Sequence, residues 1–374
     1  MSSDESGDRR GSKAPRSAAD TSSPDWHIDT RAARAGKSFD LHGGVPSATP
    51  IVPSSAFQQP DAATIAAVTQ GTQAGYIYGR YHNPTVEALE ETVADLEGAE
   101  SCAAYSSGMS AIAGAFAAAD LPRGAKILAA RDLYGTTIIW LEDAASKNDW
   151  QIIYVDFCDR PFATGAIRDE KPSMVYVETL SNPLVRVVDL DAIGPASRDA
   201  GAILVVDATF TPPSLLRPIE HGATLVAHSA TKYLGGHGDL VGGVLSGPAS
   251  LIEKARARRT LDGTIVDPFT AWLILRGLKT LPLRGSVRTL VRSPRICPCI
   301  TRSRGCTTRG TDLATHRVRS RSSSVFFRRE IMGQLSPSRS PMGERMRRGR
   351  FWMPSSYGVV RPRSVTWAAM RWCP

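Results

Sequence analysis

Four short apolar runs, rich in Val, Ile and Tyr, recur along the middle of the chain. They are KILAA (126–130), QIIYVDF (151–157), MVYVETL (174–180) and ILVVDATF (203–210), and more polar stretches separate them. Strands that are apolar on both faces and alternate with helices are typical of a mostly parallel sheet that helices cover on both sides. The pattern therefore predicts an α/β fold.

The stretches beside these runs carry the helical period. In Thr85–Leu96 the residues Val86, Leu89 and Val93 recur at helical spacing, which predicts one amphipathic helix. A second helix is predicted for Ser107–Ala119, directly after a Ser-Gly turn. Residues 251–283 are predicted to form a helix, a loop and a strongly apolar second helix.

Polar side chains follow the ends of two predicted strands. Asp207 ends the apolar part of ILVVDATF, while Glu178 and Asn182 stand at the end of MVYVETL and just beyond it. Ligands of parallel sheets bind beyond the carboxyl ends of the strands. The sequence therefore predicts a binding site at this edge of the sheet.

A single lysine follows Asp207 by twenty-five residues, in the segment SATKYLGGHGDLVGG. Taken alone, Lys232 suits a surface lysine and Asp207 suits a helix cap. Together they suit an enzyme that holds pyridoxal phosphate. The lysine would bond to the aldehyde, the aspartate would keep the ring nitrogen protonated, and the hydroxyls and glycines would hold the phosphate.

The segments VVDATF and SATKYLGGHGDLVGG resemble the Cys/Met-metabolism family of pyridoxal-phosphate enzymes. This family includes cystathionine gamma-synthase, the cystathionine lyases, methionine gamma-lyase and the homoserine-ester sulfhydrylases. The resemblance runs from about Thr30 to about Arg284. It implies an aspartate-aminotransferase-like fold, pyridoxal 5'-phosphate as cofactor, and trans-sulfuration of an amino-acid substrate such as cystathionine or an activated homoserine.

The resemblance also implies roles for individual residues. Lys232 would hold the cofactor and move protons, and Asp207 would pair with the ring nitrogen, with Thr209 beside it on the same strand face. Tyr134, in DLYGTT, would stack on the ring and act on the leaving group. Asn182, in ETLSNP, would lie near the phenolic oxygen. The phosphate would be held by Ser229, Thr231 and the turn of Ser107, Gly108 and Met109. Glu178 and Ser181 are expected to be structural, whereas His237 and Asp239 are expected to be positioning residues rather than acid–base partners.

The segment YIYGRYHNPT resembles the family's Tyr-x-Arg element, here Tyr78 and Arg80. In that family these residues reach the cofactor phosphate of a neighbouring subunit. The resemblance therefore implies a homo-oligomer, built as a dimer of active dimers. The sequence is equally compatible with Arg80 as a surface arginine in a loop.

Charge divides the chain into two unlike parts. From Arg288 onward there are 19 arginines, no lysine and three acidic residues, whereas the preceding part is mildly acidic. Arginine without lysine, together with Ser, Pro, Cys and Trp, is also what a GC-rich gene gives when translated out of frame. Few aliphatic residues accompany these charges, so burial cannot offset the conformational entropy. We therefore predict that residues 286–374 are a non-native or disordered tail that replaces the family's small C-terminal domain.

The remaining boundaries follow from composition and from the resemblance. We expect a disordered leader over residues 1–25, an arm that contributes to the neighbouring subunit's site over 26–85, and the large cofactor domain over 86–285. No apolar run approaches the length of a membrane span, and the leader has no apolar core of a signal peptide, so a cytoplasmic protein is expected. Cys297, Cys299 and Cys306 lack zinc-site spacing, so no metal is expected.

Three functional hypotheses remain at this stage. The first is an active trans-sulfuration enzyme of the cystathionine gamma-lyase or gamma-synthase kind. Gly135 and Thr136 after Tyr134 weaken the case for a methionine gamma-lyase, and a sulfhydrylase is a further alternative. The second is an impaired product of a frameshifted gene that binds cofactor, since no arginine after Leu290 stands in the family's carboxylate-binding motif. The third, nucleic-acid binding through the basic tail, is disfavoured.

Overall fold

The structure is a computed structural model that describes residues 26–37 and 46–284. The predicted leader, residues 1–25, and the predicted tail, residues 286–374, lie outside the described residues. Cys297, Cys299 and Cys306 lie outside them as well. Within the described part of the chain, no helix is long and apolar enough to cross a membrane.

A seven-stranded sheet forms the centre of the fold, in the order β1-β7-β6-β5-β4-β2-β3. Only β7 runs antiparallel to its neighbours, and the other pairings are parallel, as the apolar runs predicted. The strands are β1 (Ser101–Tyr105), β2 (Lys126–Ala130), β3 (Gln151–Val155), β4 (Met174–Glu178), β5 (Ile203–Asp207), β6 (Leu225–Ser229) and β7 (Gly243–Gly247). The four predicted runs are β2 to β5, and three of them end two or three residues earlier than predicted.

Helices cover both faces of this sheet. They are α1 (Ile28–Ala33), α2 (Ala62–Thr69), α3 (Pro84–Glu97), α4 (Gly108–Ala119), α5 (Gly135–Asn148), α6 (Arg160–Glu170), α7 (Leu190–Asp199), α8 (Ala249–Asp262), α9 (Pro268–Leu278) and α10 (Leu281–Arg284), with a 3-10 turn at Pro218–His221. The predicted helices at 85–96 and 107–119 are α3 and α4. The predicted helix-loop-helix at 251–283 contains α8, α9 and the short α10.

Local sequence signals explain where α3 begins and ends. The Asn83 side chain accepts hydrogen bonds from the backbone N–H groups of Thr85 and Val86, and Pro84 occupies the first turn. Gly98 ends the helix with φ 70°, a left-handed conformation that glycine adopts without strain. The apolar stripe of α3, including Leu89 and Val93, is therefore fixed against the sheet.

Two groups of buried side chains form the core. One contains β2 to β6 and α4, with Phe116, Ile127 and Val205 among its members. The other lies between α3, α9 and the sheet, and includes Leu89 and Ile274. All five residues of β4 are buried, as expected for a central strand of a covered parallel sheet. This rigid centre positions the carboxyl ends of β4, β5 and β6.

One buried polar pair crosses the core between α3 and β6. Glu97, the last residue of α3, places Oε1 2.5 Å from Nε2 of His228. The two side chains are 0% and 1% exposed. Their other polar atoms, Oε2 and Nδ1, have no hydrogen-bond partner. The pair therefore ties the end of α3 to the strand that leads into Ser229.

Candidate active site

The carboxyl ends of β4 and β5 bring two acidic residues side by side. Glu178 and Asp207 are the last residues of their strands and are register partners in the parallel ladder. Asn182 follows four residues after Glu178. The sequence-based prediction that all three stand at the carboxyl edge of the sheet is confirmed.

Asp207 is tied to β6 through Thr209. Its Oδ1 accepts a hydrogen bond from the Thr209 backbone N–H at 2.9 Å, and Thr209 Oγ1 accepts one from the Ser229 N–H at 2.8 Å. Burial raises the pKa of Asp207, while hydrogen bonds from Thr209 and the nearby His228 lower it. None of the ion pairs found among the described residues includes Asp207. Such a carboxylate suits a cationic ligand.

The start of α4 packs directly against the end of β6. A Cβ atom on Gly108 would lie 2.7 Å from Cβ of Ser229, so only glycine permits this approach. Ser107 caps the helix by accepting a hydrogen bond from the Ser110 N–H at 3.1 Å. Met109 next to it accepts a weak hydrogen bond from Thr137 through its sulfur. The first-turn N–H groups of α4 and the Ser229 hydroxyl therefore converge, which suits a phosphate group.

Lys232 begins the glycine-rich turn after β6. Its backbone N–H donates to the Ser229 carbonyl at 3.1 Å, and its carbonyl accepts from the Gly236 N–H at 2.7 Å. Gly236 has φ 76°, which the turn requires. Thr231 Oγ1 accepts from the Gly242 N–H at 3.1 Å, which fixes the other side of the turn. The Lys232 side chain is exposed, three residues beyond Ser229.

Glu178 contacts two further predicted site residues through their backbones. Oε1 accepts from the Tyr134 N–H at 2.7 Å, and Oε2 accepts from the Asn182 N–H at 3.2 Å. The Tyr134 ring is 47% exposed. Burial, and after it the charge of Asp207, raises the pKa of Glu178 to about 8, although the two backbone hydrogen bonds oppose this rise.

Tyr78 and Arg80 lie in a different region. Arg80 donates from Nη1 to the Thr260 carbonyl at 2.5 Å, and its guanidinium lies 5.5 Å and 5.2 Å from the rings of Tyr78 and Tyr81. The adjoining cleft is lined by residues of α3 and by Arg259. No contact described in this chain joins Tyr78 or Arg80 to Asp207, Ser229 or Lys232. The structure therefore separates them from the other predicted site residues.

The other predicted residues form one connected set at the sheet edge. Contacts run from Gly108 to Ser229, from Ser229 through Thr209 to Asp207, across the ladder to Glu178, and from there to Tyr134 and Asn182. Helix N–H groups with hydroxyls suit a phosphate, and the partly buried carboxylate of Asp207 suits a protonated ring nitrogen. The residues present therefore fit pyridoxal phosphate by the chemistry of their donors and acceptors.

Sequence reasoning missed one cluster beside this set. The Arg186 guanidinium contacts Asp132, and its Nη2 lies 2.8 Å from Oδ1 of Asp156. Arg186 lowers the pKa of Asp156. The three residues come from three separate loops, so no local motif in the sequence signals that they meet.

The pKa of Glu178 gives a pH dependence that can be measured on the cofactor-free protein. An acid whose pKa rises from its ordinary 4.5 to about 8 on folding binds an extra proton in the folded state between these values. Its stabilising contribution is present below about pH 4.5 and is lost as the pH rises through about 8. We expect urea midpoints to show this loss between pH 5 and pH 8.5 as a difference between the wild type and Glu178→Gln. If both proteins have the same pH dependence, the raised pKa is wrong.

Comparison with known proteins places the chain in a defined group. A sequence profile described as Cys/Met metabolism PLP-dependent enzyme matches residues 29–289. L-methionine gamma-lyase of Pseudomonas putida is 37% identical over 257 residues, which are 68% of this chain and 64% of that protein. Cystathionine gamma-synthase/O-acetylhomoserine (thiol)-lyase of Bacillus subtilis is 37% identical over 69% of this chain and 66% of its own length. The chain thus spans slightly less than two thirds of these two relatives.

Solved structures give the same grouping. The crystal structure of cystathionine gamma synthase from Xanthomonas oryzae pv. oryzae, in complex with aminoacrylate and cysteine, superposes with a TM-score of 0.64 at 34% identity. The superposition covers 71% of this chain and 68% of the chain of the Xanthomonas enzyme. Cystathionine gamma-lyase from Lactobacillus plantarum, complexed with L-serine, gives a TM-score of 0.63 at 30% identity. The sequence-based predictions of the family and of its α/β fold are confirmed.

Proposed function

Because the chain belongs to the Cys/Met-metabolism family of pyridoxal-phosphate-dependent enzymes, we propose that it catalyses trans-sulfuration, making or breaking the C–S bond of cystathionine or of an activated homoserine. One observation carries this proposal. The contacts among Gly108, Ser229, Thr209 and Asp207 bring helix N–H groups, a hydroxyl and a partly buried carboxylate to the same sheet edge, which supports binding of the cofactor there. Lys232 follows at the next turn.

The chain's own residues would divide the binding of the cofactor among them. Gly108 and Met109 offer helix N–H groups to the phosphate, and Ser229 and Thr231 offer hydroxyls. Asp207 would hold a proton on the ring nitrogen, with Thr209 keeping the carboxylate in place. The bound cofactor supplies an electron sink for charge that develops at the α-carbon of an amino acid.

The remaining residues would handle protons and orientation. The Lys232 amine would bond to the cofactor aldehyde, and when released it would carry protons between carbons of the substrate. The exposed Tyr134 ring would stack on the cofactor and act on the leaving group. Asn182 would lie at the phenolic oxygen. These roles for Lys232, Tyr134 and Asn182 are proposals.

Separation of Tyr78 and Arg80 from this set favours a homo-oligomer. Both residues are free of contacts with the rest of the site in their own chain, and Arg80 suits bidentate binding of a phosphate. We propose that Tyr78 and Arg80 bind the cofactor phosphate in the site of a second copy of the chain. They would belong to an arm over residues 26–85, and residues 86–285 would form the cofactor domain. A homotetramer is proposed from the resemblance to the family, and a cytoplasmic location from the composition of the sequence.

The residues after Tyr134 bear on the substrate and the type of reaction. Gly135 and Thr136 after Tyr134 favour a cystathionine gamma-lyase or gamma-synthase over a methionine gamma-lyase. No arginine is assigned to the substrate carboxylate, and the frameshift hypothesis for the tail stays a prediction. The nucleotide sequence across codons 284–292 tests it, because a family-like frame in another phase supports a frameshift and a clean single frame contradicts it.

The direct test is to trap the cofactor on the protein. Addition of pyridoxal phosphate should give a visible absorbance band, and borohydride reduction followed by peptide mass spectrometry should locate the label on Lys232. The band should be absent from Lys232→Ala and retained by Lys254→Ala, which removes a lysine from α8. A label on another lysine, or none, contradicts the assignment. Labelling without turnover of cystathionine or O-succinylhomoserine supports the impaired-product hypothesis instead.

A further inference from the structure

Glu178 is a buried acid that the proposed mechanism does not use. We propose that Glu178 is a positioning residue, which fixes Tyr134 and Asn182 relative to Asp207 by accepting the backbone N–H groups of both. The inference deepens the proposed function, because it rests on Tyr134 and Asn182 being residues that face the cofactor. It assigns Glu178 no contact with the substrate.

The geometry divides the two carboxylate oxygens between two separate segments. Oε1 is 2.7 Å from the Tyr134 nitrogen, and Oε2 is 3.2 Å from the Asn182 nitrogen. The residue is 5% exposed. Tyr134 lies between β2 and α5, whereas Asn182 lies in the loop after β4. One side chain therefore joins two loops that are 48 residues apart in the sequence.

The hydrogen bond from the Tyr134 N–H to Glu178 is important because α5 begins without a side-chain cap. It is the N-cap residue of α5, and its own side chain makes no capping hydrogen bond. The carboxylate of Glu178 binds the N-cap N–H from outside the helix, close to the positive end of the helix dipole. Loss of the carboxyl group would leave this partly buried N–H without its acceptor.

The far side of the Asn182 loop is held by different contacts. The Ser181 N–H donates to the Arg186 carbonyl at 3.0 Å, and the Arg186 N–H donates to Ser181 Oγ at 3.0 Å. The Arg186 guanidinium contacts Asp132, two residues before Tyr134. Val185 has φ 54°, an unusual conformation for a β-branched residue. Both loops are thus joined at their outer ends by Arg186 and at their inner ends by Glu178.

A carboxyl group suits this position because both of its oxygens can accept a hydrogen bond, whether or not one of them carries a proton. Glutamine of the same shape has one acceptor oxygen, and its amide nitrogen would face the second N–H as a donor against a donor. Burial beside Asp207 disfavours a charge here. An apolar residue of similar size would preserve the packing, but it would leave the N–H groups of Tyr134 and Asn182 without an acceptor.

Hydrogen exchange tests the proposal on the full chain without cofactor. In Glu178→Gln, we expect the peptide that contains Tyr134 or the one that contains Asn182 to exchange roughly tenfold faster than in the wild type. The peptide that contains Thr209, whose N–H binds Asp207, should not change. Glu170→Gln is the matched control, because it removes an acid that is 39% exposed and paired with Lys126 at the surface. The dissociation constant for pyridoxal phosphate should rise in Glu178→Gln and not in Glu170→Gln.

Two results would overturn the proposal. One is exchange of both peptides at the wild-type rate in Glu178→Gln. The other is an equal acceleration of all three peptides, which would indicate general destabilisation. If Glu178→Gln does not fold, Glu178→Asp takes its place, since it keeps two oxygens on a shorter side chain and should accelerate only the Tyr134 and Asn182 peptides. Failure of cofactor trapping on Lys232 would contradict the proposed function and leave these exchange results unaffected.

Discussion

Asp207→Asn is expected to lower kcat/KM for the trans-sulfuration substrate by at least about a hundredfold. The substitution keeps the shape of the side chain and one oxygen, so the hydrogen bond from the Thr209 N–H at 2.9 Å can remain. What it removes is the negative charge that would keep the cofactor ring nitrogen protonated. The loss should therefore fall on kcat and on cofactor affinity, with little change in the unfolding midpoint.

A second effect of Asp207→Asn can be measured without cofactor. The charge of Asp207 is, after burial, the next cause of the raised pKa of Glu178. Removing that charge should lower the pKa of Glu178 and shift the pH-dependent loss of stability to lower pH. This readout separates an electrostatic role from a packing role, because a neutral side chain of the same size would leave packing unchanged.

Asp169→Asn provides the control for Asp207→Asn. Asp169 is an exposed residue of α6 on the surface, so its substitution should change neither the rate nor the pH dependence. Wild-type kcat/KM and wild-type cofactor affinity in Asp207→Asn would contradict the proposed partner of the ring nitrogen. A changed rate together with an unchanged pH dependence would contradict the coupling between Asp207 and Glu178.

The sequence predicted one half of the sheet, β5-β4-β2-β3, and missed the other half, β1-β7-β6. β2 to β5 are runs of Val, Ile, Leu and Tyr, so their apolar pattern is evident. β1, β6 and β7 were missed because SCAAY, LVAHS and GVLSG contain small or polar residues. Their burial comes from tertiary contacts, such as the close approach of Gly108 to Ser229, that no local window contains.

The same distinction applies to the site. Asp207 and Glu178 could be placed at strand ends, because a strand and the residue that ends it are neighbours in the sequence. The bond from Glu178 to the Tyr134 N–H has no sequence signal, since a backbone N–H is common to almost every residue. The roles of Lys232, Asp207 and Glu178 are predictions that the experiments described above test.

Glu97→Leu is expected to lower the free energy of unfolding by roughly 3–5 kcal/mol. The substitution leaves His228 in the core without its partner, since Glu97 Oε1 is the hydrogen-bond acceptor beside Nε2 and Nδ1 already has none. A buried polar group without a partner keeps its desolvation cost and loses the compensating contact. Urea unfolding of the cofactor-free protein, monitored by circular dichroism, measures the change.

Glu91→Leu on the same helix is the matched control for Glu97→Leu. Glu91 is 49% exposed and pairs with Lys37 at the surface, so its loss should change stability by no more than about 1 kcal/mol.

The double variant Glu97→Leu/His228→Leu should recover much of the loss, because two apolar side chains in place of a buried pair leave no polar group unpaired. Equal effects of Glu97→Leu and Glu91→Leu would contradict a stabilising pair. A double variant no more stable than Glu97→Leu would show that lost packing, rather than the unpaired His228, causes the effect. Since His228 also lowers the pKa of Asp207, the double variant should raise that pKa, which links this core pair to the carboxylate at the sheet edge.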